Sequence, residues 1–552
     1  MASQAHSQRY VLILLAAVFI AVWFGNLDYR KLVRPDEGRY AEIAREIAMS
    51  SDWITPRLNG IKYFEKPPLQ YWATAAAYRA FGEHEWTARL WPAVTGFAGI
   101  MLVFFAGRSL FGFTAGFYAS LILASSAGYV ATAHFNSLDM GLTFFVTATL
   151  LAYMLAQRPE ATPAMNRRWT LAAWAAAALA MLSKGLIGVV IPAAVLAIYI
   201  VLQRDFARLR GLHWGMGLTV FLLIAAPWFV LVQLANPEFA KFFFVHEHFE
   251  RYLTTVHRRA EPWWFFFPIL ALGILPWLTL VPQALAHAWR VQGQPSAFQP
   301  GRFLAIGLAF IFVFFSASSS KLPGYLLPML PLLALLIGGV LAGTRPRELI
   351  WHLLPILLFA SLVAVLSPCV VTLARRPELV PLYEASVPWI AAGAVCAFIG
   401  AGITLHYCRR DNVTAALSAM AIGSLLAIQF VTTGHNALAP NYSGHHLAEL
   451  IKPHLEASVP VYSVRTYDQT LPFYIKRTVT LVAFRDEMAY GLEREPWLWL
   501  PDLPSFERAW RSERNALAIM EPDTHAELEK NGLPMQVIGR DMRRIVVRKP
   551  DA

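Results

Sequence analysis

Cysteine is scarce in this chain: Cys369, Cys396 and Cys408 are the three among 552 residues, each in or at the edge of an apolar segment. Nothing in their spacing points to a disulfide framework or a CxxC metal site, and redox chemistry is not expected. Charge is scarce too. Only 15% of residues are Asp, Glu, Lys or Arg against 57% apolar, more apolar surface than a soluble core can hide. The formal net charge of +11 does not point to nucleic acid, because the arginines lie in short loops between apolar runs rather than on one soluble face.

What remains is a polytopic α-helical membrane protein. Apolar runs lie near 10–25, 88–110, 114–133, 139–157, 168–183, 185–202, 212–235, 264–286, 303–319, 322–342, 349–374, 385–407 and 413–434. That is about thirteen spans, several near the ~20 residues a crossing helix needs. The run from Tyr10 to Gly25 lacks a small-residue cleavage site after it and is read as a retained first span with a cytoplasmic N-terminus. Pro67 to Gly82 is short, opens on Pro-Pro, carries Gln70 and Arg79, and is read as a juxtamembrane helix.

Arginines orient the bundle. Arg108, Arg158, Arg167, Arg168, Arg204, Arg208, Arg210, Arg290, Arg302, Arg345, Arg347, Arg409 and Arg410 fall in alternate connections, with Arg375-Arg376 the exception. By the positive-inside rule the loops 26–87 and 236–263 and everything after Gly434 then lie on the outer side. Asp139, Lys184 and Lys321 fall at the outer ends of their spans. A lysine at a span end can simply snorkel to the headgroups, but three charges of both signs at one level call for partners or an aqueous cavity.

Charge is densest in the first outer loop. Arg34-Pro-Asp-Glu-Gly-Arg-Tyr40 leads on to Glu65-Lys66-Pro-Pro68. Pro35 followed by acids is a helix start, and Tyr40, Ile43, Ala44 and Ile47 recur at helical spacing, so Asp36 to Ser50 is expected to be an amphipathic helix along the membrane surface. Acids in a first turn favour the positive end of the helix dipole, which accounts for one carboxylate but not for Arg39 or for Glu65-Lys66 returning to the membrane. The second outer loop holds His246, His248, Arg251 and Tyr252 among aromatics. Its basic residues suit a phosphate, and His246 with an outer carboxylate such as Glu65 would suit a divalent metal, zinc being the natural choice for imidazole. Ser318-Ser-Ser-Lys321-Leu-Pro-Gly-Tyr325 gives a later span a polar entry from which Lys321 and Tyr325 can reach a phosphate.

After Gly434 the composition changes. Val459–Val464, Thr478–Ala483, Ala516–Met520, Gln536–Gly539 and Ile545–Val547 read as strands, and His445–Leu455, Asp486–Leu492 and Phe506–Ser512 as helices. The division expected is a transmembrane part, 1–434, and an α/β domain, 435–552. That second part has no glycine-rich phosphate loop and no nucleophile elbow, which argues against a nucleotide site.

Together Asp36-Glu-Gly-Arg-Tyr40, Glu65-Lys-Pro-Pro68 and Ser320-Lys-Leu-Pro-Gly-Tyr325, on a many-span scaffold with a large first outer loop, resemble the GT-C membrane glycosyltransferases. More narrowly, they are similar to the bacterial lipid A aminoarabinose transferases, relatives of the protein O-mannosyltransferases. The resemblance implies transfer of 4-amino-4-deoxy-L-arabinose from undecaprenyl phosphate to lipid A phosphates, at the periplasmic face of a Gram-negative inner membrane, with resistance to polymyxin and cationic antimicrobial peptides as its consequence. It also implies that Asp36 is the catalytic acid position.

Lys66, Arg39, Arg251 and Lys321 are the cations available to a donor phosphate at the interface, with Tyr63 and Tyr325 as hydrogen-bond donors. Asp139 is a second catalytic candidate, and Glu37, Glu65 and Lys184 are candidates for sugar or acceptor. An ionised phosphate acceptor needs no general base, so Asp36 would position the acceptor or steady oxocarbenium-like charge; for a hydroxyl acceptor it would be the base. A protein O-mannosyltransferase and a lipid-linked sugar transporter remain alternatives, though a transporter needs access from both faces and the unexplained charges gather on one.

Overall fold

The computed structural model describes residues 17–250, 261–290 and 297–550, the side chains of 246–250 excepted. Seven helices among them are long and apolar enough to cross a bilayer: Glu85–Phe111, Leu138–Ala156, Trp214–Ala235, Pro300–Ala317, Pro346–Leu373, Pro377–Arg409 and Val413–Tyr442. Two bent pairs, Phe113–Ser125 with Ala127–Ala133 and Phe266–Gly273 with Leu278–Arg290, raise the number to nine. Pro163–Lys184, Ile187–Gln203 and Met329–Leu341 are helices on other expected runs, too polar or too short to pass the same test. Length and composition therefore support a multi-pass bundle without returning the expected thirteen crossings. The run at 10–25 is described only from residue 17.

The first loop forms Asp36–Ser50 as expected, with Asp36 and Glu37 in its first turn and Ser51 closing it in the left-handed conformation at φ 61°. Its burial extends beyond the apolar face that the periodicity marks. Ten of its fifteen residues are buried, including Glu42 and Arg45, whose Nη2 and Nε donate to the two Glu42 carboxylate oxygens at 2.6 and 2.7 Å. With its polar side neutralised internally, the helix is a core element of the protein. Leu69–Phe81 packs against it. Between them a hairpin, β1 (Arg57–Leu58) and β2 (Ile61–Lys62), turns at Asn59 and Gly60, both at positive φ.

The C-terminal part is a six-stranded mixed sheet. With β3 Val461–Val464, β4 Thr480–Val482, β5 Trp499–Leu500, β6 Leu517–Met520, β7 Gln536–Arg540 and β8 Ile545–Arg548, the order is β5-β4-β3-β6-β8-β7. The β3 to β6 pairs are parallel and β8 and β7 antiparallel. Alternation along β6 sorts its two faces. Ala518 and Met520 join Phe506, Trp510 and Leu528 under the outer helices, whereas Leu517 and Ile519 join Tyr40, Ile43, Ile47 and Tyr71. The Asp36–Ser50 helix thus shares one core with the sheet.

Asn59 extends that union as a strand would, donating to Val479 O at 2.7 Å and accepting from Val479 N at 2.8 Å. The loop after Trp214–Ala235 joins the same end of the bundle: Lys62 pairs with Glu238 at 3.0 Å, and Phe242 stacks on Tyr490 with centroids 3.9 Å apart. The two large connecting loops and the sheet domain, read from the sequence as lying on one side, are in mutual contact.

Candidate active site

Arg89 sets the geometry. It lies in the first turns of Glu85–Phe111, fully buried, and donates from Nη1 to the carbonyls of Leu27 and Arg30 at 2.8 and 2.6 Å and from Nη2 to that of Lys31 at 3.0 Å. Its Nε and Nη2 also hold the Glu37 carboxylate at 2.7 and 2.9 Å. The backbone N–H groups of Val33 and Asn136 complete that carboxylate at 3.0 Å each. Burial opposes its charge, but Arg89 outweighs this and holds the Glu37 carboxyl below its ordinary value. Glu37, expected on the sugar or acceptor, is therefore committed to anchoring the loop. Asn136 accepts in turn from Gln70 at 2.7 Å, which ties the Leu69–Phe81 helix to the span that begins two residues later.

With Glu37 turned inward, Asp36 is turned outward. Its side chain is 50% exposed and accepts from Arg39 Nη1 at 2.9 Å, while the Arg39 side chain is 9% exposed and also contacts Glu487 of the sheet domain. Gly38 lies between them because nothing larger fits: a Cβ there would come within 2.5 Å of Thr470 N. Tyr63 is buried nearby, and its hydroxyl has no hydrogen-bond partner among the described residues, an arrangement that leaves a donor for a ligand. Burial, first of all, raises its pKa well above the ordinary value. Lys66 Nζ donates to the carbonyl of Glu65 at 2.7 Å, and both residues have other contacts. Phe64, in the same loop, is anchored in an apolar cluster with Leu182, Trp228 and Phe239, which brings the loop beside the end of Pro163–Lys184.

A second group forms around Asp139. Lys184 bonds its carboxylate, and the same ammonium lies 5.1 Å from the centroid of the Tyr325 ring. Gly324 presses on this pair so closely that a Cβ would lie 2.5 Å from Asp139 Oδ2. The structure thus unites Asp139, Lys184 and Tyr325. Lys321 is buried instead, its Nζ donating to Ser318 O at 2.7 Å, so it points into its own loop. Arg251 lies outside the described residues, as does the side chain of His246. Among the described residues no cluster of three or more His, Cys, Asp or Glu is placed to hold a metal.

Two carboxylates here are matched to largely buried cations, Asp36 to Arg39 and Asp139 to Lys184. Such pairs present fixed positive charge where a leaving phosphate would need it. Sequence reasoning passed over Arg89, Asn136 and Glu487. Arg89 had a usable signal, a charge inside an apolar run, which demands a buried partner.

Residues 447–549 match the family model "Aminoarabinose transferase C-terminal domain", and 9–243 match "Dolichyl-phosphate-mannose-protein mannosyltransferase". The crystal structure of ArnT from Cupriavidus metallidurans bound to undecaprenyl phosphate is 38% identical, superposes with a TM-score of 0.93 and covers 98% of both chains. The undecaprenyl phosphate-alpha-4-amino-4-deoxy-L-arabinose arabinosyl transferase 2 of Proteus mirabilis is 31% identical over 72% of each chain. The chain belongs to the ArnT family. The ArnT relative from Pseudomonas paraeruginosa is 34% identical, and the match spans 61% of this chain and 60% of that relative's length. The archaeal oligosaccharyltransferase AglB from Archaeoglobus fulgidus, 13% identical with a TM-score of 0.51 over 93% of this chain and 69% of its own, shares the fold. ArnT membership and that likeness give the GT-C fold.

Proposed function

We propose that this protein transfers 4-amino-4-deoxy-L-arabinose from undecaprenyl phosphate to lipid A phosphates at the periplasmic face of a Gram-negative inner membrane. The observation that carries the reading is Asp36: its carboxylate stands half exposed beside Arg39, while the next acid, Glu37, is buried on Arg89. The Cupriavidus relative, crystallised with undecaprenyl phosphate, and the relatives named for this transfer supply the donor and the sugar.

In this reading the transmembrane part, 1–434, carries the reacting groups and 435–552 closes over them from the periplasm. Arg39, Lys66, Tyr63 and Tyr325 receive the donor phosphate, with Arg251 and Lys321 as further cations for it. Their charge and hydrogen bonds stabilise the phosphate as the glycosidic bond breaks. The acceptor phosphate is already nucleophilic, so Asp36 orients it and steadies positive charge on the sugar, in an in-line displacement with inversion. Asp139, Glu65 and Lys184 bound the sugar, and the two carboxylates suit its cationic amine.

The test is mass spectrometry of lipid A from Gram-negative cells lacking their own transferase, with and without this chain and its Asp36→Asn variant. The expected result is an aminoarabinose mass gain that vanishes in the variant while the protein stays in the membrane. No gain with donor available would transfer the reading to another acceptor, a protein hydroxyl first.

A further inference from the structure

We propose that Glu487 is a positioning residue that holds the Arg39 guanidinium in the empty site and competes with the lipid phosphate for it. This rests on the reading that Arg39 receives that phosphate. Arg39 has five N–H donors and divides them unevenly: Nη1 serves Asp36, Nη2 serves Glu487, and Nε is buried with no partner among the described residues. The Glu487 carboxylate is not a loose surface acid. Its side chain is 11% exposed, and its other oxygen accepts from Gln469 Nε2 at 2.9 Å, so it is aimed at Arg39 from its own domain.

An anionic phosphate approaching Arg39 therefore meets a site already filled by negative charge. Asp36 stands on the same helix, Glu65 on the next loop and Asp486 beside Glu487, while the phenols of Tyr40 and Tyr63 beside Arg39 are kept neutral by burial. Burial, with Glu65 and Asp486 added, pushes the Glu487 carboxyl above its ordinary value, although Arg39 opposes this, so it gives up its charge more readily than an exposed glutamate.

The competition favours turnover because of what changes during transfer. The sugar-linked donor is a phosphodiester with one negative charge, whereas the spent carrier is a monoester that carries up to two. The spent carrier would bind a free Arg39 more tightly than the donor does, and a resident carboxylate that reclaims Arg39 limits that product hold. The release also reaches the neighbouring loop, because Glu487 lies two residues before the helix Ala489–Arg494, whose Tyr490 donates to Glu238 O at 3.2 Å.

A salt bridge that merely docked the sheet domain would predict weaker binding when broken. Competition predicts the opposite sign. The experiment measures undecaprenyl phosphate binding to the purified full chain in nanodiscs for wild type, Glu487→Gln, Glu487→Asp and Arg39→Ala, with donor kinetics alongside. Expected are a Kd lowered roughly tenfold in Glu487→Gln, kcat and donor KM falling together there, near wild-type behaviour in Glu487→Asp, and binding lost in Arg39→Ala. Unchanged or weaker binding in Glu487→Gln with binding lost in Arg39→Ala overturns the competition and leaves the Arg39 reading standing. Unchanged binding in Arg39→Ala removes that reading itself. If Glu487→Gln does not fold, amide exchange on wild type decides: undecaprenyl phosphate should increase exchange across residues 469–488, and unchanged or slower exchange there overturns the proposal.

Discussion

Arg89 holds both oxygens of Glu37, at 2.7 and 2.9 Å, in a site where the two side chains are 0% and 2% exposed. The two acids that open the Asp36–Ser50 helix thus divide their tasks, one anchoring and one facing outward. A buried pair contributes little over an apolar substitute, but removing one partner leaves an uncompensated charge, at a cost of about 3–5 kcal/mol. Glu37→Gln is therefore expected to lower the thermal midpoint and the yield of folded membrane protein, whereas Asp36→Asn should leave both unchanged and lose transfer. Detergent-resistant folded fraction and thermal unfolding, read on both variants, check the division; equal stability of the two would contradict it.

Gly38 meets the backbone of Gln469 and Thr470 at 2.6 and 2.5 Å from where its Cβ would be, and neither backbone can yield as a flexible side chain would. Gly38→Ala should push the sheet domain away from the motif and disturb the Arg39 to Glu487 contact. The expected outcome is transfer reduced at least roughly tenfold and a cost of about 1–3 kcal/mol from overpacking, with protease cleavage appearing near residues 435–445. Wild-type activity in this variant would show that the domain is free to retreat without consequence for the site.

Much of this was legible from the residues, for identifiable reasons. The helix bounds Asp36–Ser50 are readable because Pro35 and two acids mark its start. The apolar runs are readable because a bilayer leaves long stretches uncharged. The burial of that helix's polar face was not readable: Glu42 and Arg45 lie on it, and only their mutual pairing, invisible to periodicity, allows it to be buried. Asn59-Gly60 is a strong hairpin signal that the charge-centred reading passed over, and β5, two residues long, is too short to show a pattern. Asp139 and Lys184 were found by charge at span ends, and the structure joins them. Glu487 had no local signal, since its meaning depends on Arg39, 448 residues away.

Glu46 provides a stability test that is separate from catalysis. It sits one turn past Glu42 on the buried helix; Oε2 accepts from Gly60 N at 2.9 Å, and Oε1 is buried with no hydrogen-bond partner among the described residues. Burial, and then the Glu42 charge, push its carboxyl up from 4.5 to about 8. The folded chain thus keeps a proton that the unfolded chain releases at 4.5. The associated stability is complete below that ordinary value and is lost as pH rises toward 8, because ionisation favours the unfolded state throughout that window. Glu46→Gln keeps an acceptor for Gly60 N and removes the titration. The variant should match wild type near pH 4.5, unfold roughly 2 °C higher at pH 8, and show a flatter midpoint between the two. Parallel midpoint curves for variant and wild type would mean that Glu46 is ionised in the folded chain with water or a cation beside it.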